Sequence, residues 1–171
     1  MGKVVVIALL LACLIGGAGL WYSQAYAYWD RVEGPVTLTL EEEGRRVPLA
    51  AWDVEAIVSR SSPLGFRACF THDVPPHEAP DRPRPAPTVA PGWFDCFDAA
   101  AIAALIESGE ATAHTAWTDA AYGVDRVVAL ARDGRGWAWH ELNDCGAKAY
   151  DGSATAPACP DRATFQPLED R

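Results

Sequence analysis

The chain has 171 residues, half of them apolar, with seven Trp, 23 acidic and 14 basic side chains and a formal charge of −9. That apolar content excludes a compositionally disordered chain. Every acidic residue lies at Asp30 or later, and only Lys3 among the basic ones precedes it. The remainder therefore carries about −10 and lacks the clustered Lys and Arg that nucleic acid or anionic lipid recruits.

Val4 to Leu20 runs for seventeen residues without a charge. As a helix, Val4 to Tyr22 reaches about 28 Å, close to the hydrocarbon thickness of a bilayer. Trp21, Tyr22, Tyr26, Tyr28 and Trp29 follow as an interfacial aromatic belt. Residues 1–30 are therefore expected to form a transmembrane anchor in an inner membrane. Lys3 marks a cytoplasmic N-terminus, and residues 31–171 form a periplasmic domain. Two processing alternatives stand beside this. Ala25-Tyr26-Ala27 satisfies the small-x-small rule of signal peptidase, with release at Tyr28, but the apolar run exceeds an ordinary signal core. Leu10-Leu11-Ala12-Cys13 has the look of a lipoprotein signal, yet apolar residues continue beyond Cys13. Ala8, Ala12 and Gly16 recur at helical spacing, as do Cys13 and Gly17, a stripe that lets helices approach but is common in membrane spans.

Gly34-Pro35 breaks the helix, and Val36 to Leu40 alternates as a strand. Glu41 to Gly44 reads as a turn, with Arg45 to Leu49 returning. Ala50 to Ser59 is ambiguous, with one short helix as its candidate element, and Leu64 to Thr71 reads as another strand. Residues 75–91 hold seven of the thirteen prolines and form a stiff extended surface loop. Ala99 to Glu107 is the main helix, capped by Asp95 or Asp98 and stopped by Gly109. Phe97, Ala101 and Leu105 line one face, with Ile102 and Ile106 beside them. Ala111 to Trp117 is a strand. Asp125 to Arg132 and Gly136 to Leu142 flank Asp133-Gly134, a hairpin signal. The predicted class is α+β: an N-terminal transmembrane helix followed by a small antiparallel sheet with one main helix packed on it.

Outside the apolar segment stand Cys69, Cys96, Cys145 and Cys159, an even set in a compartment that permits oxidation. Four cysteines allow three connectivities. The favoured one pairs Cys69 with Cys96, stapling a strand to the helix start, and Cys145 with Cys159, pinning the tail. No Cys-x-x-Cys supports dithiol redox chemistry.

His72, His77 and His140 each precede a carboxylate and are the weak candidates for a metal site, but their spacing matches no ligand pattern. No nucleophile elbow is present. Asp95 and Asp98 suit an acid–base pair, or more simply helix caps. Trp93, Trp137 and Trp139 are the candidate binding surface. Trp137 and Trp139 share a strand face, for which core packing is the plainer reading. No cofactor motif appears.

Several runs together carry a resemblance. They are Arg67 to Phe70, Ala90 through Trp93-Phe94-Asp95-Cys96-Phe97-Asp98 to Ala99, Tyr122 to Ala129, and Asp133 to His140 with Cys145-Gly146. With the anchor, they make the chain similar to a family of uncharacterised alphaproteobacterial single-pass membrane proteins, sometimes labelled histidine kinase. The resemblance implies no activity and transfers no site residue. The kinase label has no support here, since His77-Glu78 lies among prolines where a phosphoacceptor box needs a helix.

The expected function is that of a membrane-tethered periplasmic interaction or assembly protein without catalytic activity of its own, partnered by the membrane and an envelope protein and not by nucleic acid. The alternatives are a metal-dependent periplasmic enzyme and a ligand-sensing accessory of a signalling system.

Overall fold

A computed structural model describes residues 2–73, 81–153, 155–156 and 159–166. Helix α1, Gly2–Tyr22, continues into a π-helical turn, Ser23–Ala27. The combined segment is long and apolar enough to cross a membrane, and none of it is buried inside the domain. Among the described residues, eight strands and one further helix follow: β1 (Trp29–Arg31), β2 (Thr39–Glu42), β3 (Arg45–Pro48), β4 (Trp52–Ser59), β5 (Phe66–Thr71), α2 (Ala99–Glu107), β6 (Ala111–Ala121), β7 (Val124–Ala131) and β8 (Arg135–Leu142). Six strands form an antiparallel sheet in the order β1-β4-β5-β8-β7-β6, and β2 pairs with β3 in a separate hairpin. The fold is α+β.

Both faces of the sheet are covered. On one face Ile57, Cys69, Val127, Ala129, Trp137 and Trp139 pack with Phe94, Phe97 and Ile102 from α2 and the segment before it. On the other, Ala56, Ala68, Phe70, Val128, Leu130 and Ala138 pack with Leu38, Leu40 and Leu49 of the β2–β3 hairpin. Alternation along each strand sends successive side chains to opposite faces. Here both sets are buried, so Val127 to Ala131 are all inside.

Local chemistry sets the elements. Asp98 is the cap of α2, accepting from the Ala100 and Ala101 N–H groups at 2.9 and 3.1 Å. Gly109, at φ 74°, takes the left-handed turn that ends the helix. The connection from β5 to β6 carries residues 81–91 of the Pro-rich segment and α2, and leads past β8 and β7 to the far edge; the rest of that segment, residues 75–80, lies outside the described residues. Gly136 lies beneath Phe70, whose ring would meet a Cβ there at 2.2 Å.

The structure corrects four expectations. Ala50 to Ser59 holds a strand, not a helix; Asp53, at φ 52°, sits in an irregularity that interrupts its alternation. Trp29 leaves the aromatic belt to begin β1 and packs against the core. Regular pairing of β2 begins at Thr39, and Glu41 and Glu42 extend the strand into the expected turn. On α2 the buried stripe centres on Ile102, while Ala101 is exposed.

Candidate functional site

The alternation that fills one face with Val127, Ala129, Trp137 and Trp139 also places Asp125 and Glu141 on it, both buried. Buried carboxylates need a cation and hydrogen bonds. Arg82, from the Pro-rich segment, supplies both. Its Nε donates to Glu141 Oε1, and its Nη1 donates to Asp125 Oδ2 at 2.9 Å and Thr115 Oγ1 at 3.1 Å. Glu141 Oε2 accepts from Trp139 Nε1 at 2.9 Å and from the Ala86 N–H at 2.8 Å. Asp125 Oδ1 accepts from the Asp119 N–H at 2.9 Å and Asn143 Nδ2 at 2.8 Å. Burial lowers the Arg82 guanidinium's pKa, but the attraction and hydrogen bonds of Glu141 and Asp125 outweigh this and raise it.

A second arginine fastens the far end of the same segment. Arg67 Nε donates to Thr88 O at 2.7 Å and Nη2 to Val89 O at 3.0 Å, while Nη1 reaches Leu64 O and Phe66 O. Burial pulls this guanidinium down to about 10. Thr88 Oγ1 adds a bond to His140 O, and the Arg82 N–H bonds to Ala113 O at 2.7 Å. Residues 81–91 are thus a strap held to the sheet by two cations, the buried Arg67 and the part-buried Arg82. Beside the strap a half-open polar cleft of about 380 Å³ is lined by Arg82, Arg84, Asp125, Glu141, Asn143 and Asp144, among others. Its inner charges are engaged with one another, whereas Arg84 and Asp144 are exposed at it and can meet a polar partner.

On the opposite face, Arg126 lies 4.1 Å over Phe66 and 5.3 Å over Trp117, and Arg46 lies 4.2 Å over the same Trp117. Arg126 Nε donates to His140 Nε2 at 3.1 Å, so the His140 proton sits on Nδ1 and bonds to Pro63 O at 2.6 Å. Burial, reinforced by the Arg126 charge, holds the His140 pKa down to about 4.

The candidate site residues fall as follows. Cys69–Cys96 and Cys145–Cys159 are disulfide pairs. His140 is fixed in β8, while His72 follows β5 near the other end of β8, where its Nε2 meets Arg135 O. The two histidines are thus kept apart, and His77 lies outside the described residues. Among those residues no cluster of three metal-ligating side chains occurs. Trp137 and Trp139 are core residues, 5 % and 0 % exposed, and present no binding surface. Trp93 is half-buried, with its Nε1 donating to Ala25 O at 2.5 Å. Asp95 is exposed while Asp98 caps α2, which separates the two carboxylates by role.

The run from Trp93 to Asp98 is therefore structural at five of its positions. Trp93 meets the anchor, Phe94 and Phe97 enter the core, Cys96 closes a disulfide and Asp98 starts a helix. A family model, a family of unknown function (DUF6446), matches residues 36–160. The chain belongs to DUF6446. No curated protein and no solved structure matches it. The DUF6446 match begins beyond β1 and takes in both disulfides, Arg67, Arg82 and α2, so the strap and the cleft lie inside it. Sequence reasoning missed Arg82, Asp125, Glu141 and Arg67. The signal was available in period two: Asp125 shares a parity with Val127 and Ala129, and Glu141 with Trp137 and Trp139.

Proposed function

We propose that the chain is a membrane-tethered periplasmic interaction or assembly protein without catalytic activity of its own, N-terminus inside and outer domain outside. The observation that carries this reading is the ion cluster of Arg82, Asp125 and Glu141. It holds a proline-stiffened strap against the sheet and gives the cleft beside it a fixed rim. A rigid, crosslinked, half-open polar surface next to a single apolar helix suits a protein that works by contact. The two disulfides support an oxidising compartment, and the apolar helix supports tethering.

The test is in-cell photocrosslinking of the full chain, with the reactive side chain placed at Arg84 beside the cleft or at exposed Arg45 on the β3 hairpin. The reading predicts one discrete adduct at position 84 that is missing at position 45 and weakened by Arg82→Met. No adduct at position 84, or identical adducts at both positions, would count against it.

A further inference from the structure

Anchor and sheet are joined without a linker: the π-helical turn ends at Ala27 and β1 begins at Trp29. The last carbonyls of a helix lack intrahelical donors. One of them, Ala25 O, is satisfied from the outer domain by Trp93 Nε1, 68 residues further along the chain. The ring of Trp93 also stacks on Tyr26 at 6.4 Å. Tyr26 in turn stacks on Tyr22 at 5.8 Å and meets Trp21 edge-on at 5.6 Å. On the domain side, Trp93 meets the buried Phe94 at 6.2 Å, and Arg31 lies 5.2 Å over its face. An unbroken aromatic series thus runs from the end of the apolar helix into the core. Tyr26 and Tyr28, 42 % and 44 % exposed, flank it.

Trp and Tyr rings favour the headgroup layer, where an apolar body and a polar tip are both accommodated. The outer part of the chain carries about −10 and is repelled by anionic lipid, so charge does not bring it to the bilayer. We propose that Trp93 fixes the outer domain edge-on to the lipid headgroup layer, with Tyr26, Tyr28 and Trp93 forming one lipid-facing lip around the end of the span. This rests on reading Gly2–Tyr22 as a membrane span. The β1 edge then lies at the membrane, and β6, five strand spacings away, stands roughly 24 Å across the sheet from it. The β2–β3 hairpin goes with β6, to which Thr39 is bonded through Ala116 O.

The experiment uses the full chain in phosphatidylethanolamine–phosphatidylglycerol vesicles, with single nitroxide labels read by collision with oxygen and with a water-soluble nickel chelate. A label on native Cys13 tests the span. In a Cys13→Ala background, Gly92→Cys tests the lip, where an added Cβ meets nothing within 4 Å, and Arg45→Cys serves as the distant control. The expected result is a Cys13 label reached by oxygen and shielded from the chelate, with chelate access at position 92 severalfold below that at position 45. Trp93→Ala raises access at position 92 to the level at position 45. Trp93→Phe, which keeps an aromatic ring but loses the donor and part of the indole's area, falls between. Equal chelate access at positions 92 and 45 with Cys13 still shielded would overturn the docking and leave the span intact, as would Trp93 variants that change nothing. A Cys13 label open to the chelate would overturn the span reading and the docking with it.

Discussion

Arg82 is the residue on which the strap depends. Its guanidinium is the cation within reach of both Glu141 and Asp125 among the ion pairs of the described residues. Removing one partner of a buried ionic group leaves the others uncompensated and costs roughly 3–5 kcal/mol. Arg82→Met is expected to destabilise the outer domain by that amount in urea unfolding, and adding Glu141→Gln is expected to recover part of the loss. His140 makes a different prediction. The unfolded chain binds its proton near pH 6.5, the folded one near 4, so the unfolded state holds more protons between those values. Its contribution is complete above about pH 6.5 and is lost as pH falls toward 4, by up to roughly 3 kcal/mol. Urea midpoints measured across that window should fall with pH more steeply in the parent than in His140→Asn. Arg67 and Arg82 show why single residues were hard to read. An arginine in a strand, like Arg67, or in a Pro-rich stretch, like Arg82, looks solvated until the sheet face and the segment lying on it are known.

Among the elements, the hairpin at Asp133-Gly134, the helix from Ala99 and the strand before the Pro-rich segment were legible, because each has a local signal in its turn, cap or apolar run. Strand β4 was not. Ala56 and Ile57 are both buried, since both faces of the sheet are covered, and the irregularity at Asp53 shifts what alternation remains. A strand covered on both sides loses the period-two pattern and can pass for a short helix. The order β1-β4-β5-β8-β7-β6 also has no local signature, since the β5-to-β6 connection decides it from outside the strands. Two substitutions probe these elements. Asp98→Ala removes the α2 cap and should cost about 1 kcal/mol. Gly136→Val forces a side chain against the Phe70 ring and should cost about 1–3 kcal/mol by overpacking. Thermal or urea unfolding of the two variants checks both, and the larger loss should be at Gly136.

At the scale of the molecule, the chain is an apolar helix and a disulfide-stapled α+β domain that meet at Trp93. The candidate site was only partly legible. The cysteine pairs were among the three pairings that composition allows, but the cleft combines Arg82 and Arg84 with Asp125, Glu141, Asn143 and Asp144, which only the folded topology brings together. The tail depends on Cys145–Cys159, whose cysteines are 14 residues apart, and Cys145→Ser/Cys159→Ser should cost about 3 kcal/mol if the closed loop acts through the unfolded chain. The account stands most directly on thiol labelling of membrane-fractionated protein, read by intact mass. It predicts the full 171-residue chain in the membrane fraction, with Cys13 the one thiol available under denaturing conditions before reduction and the other four appearing only after it. A soluble species beginning near Tyr28, or outer cysteines that react without reductant, would contradict it.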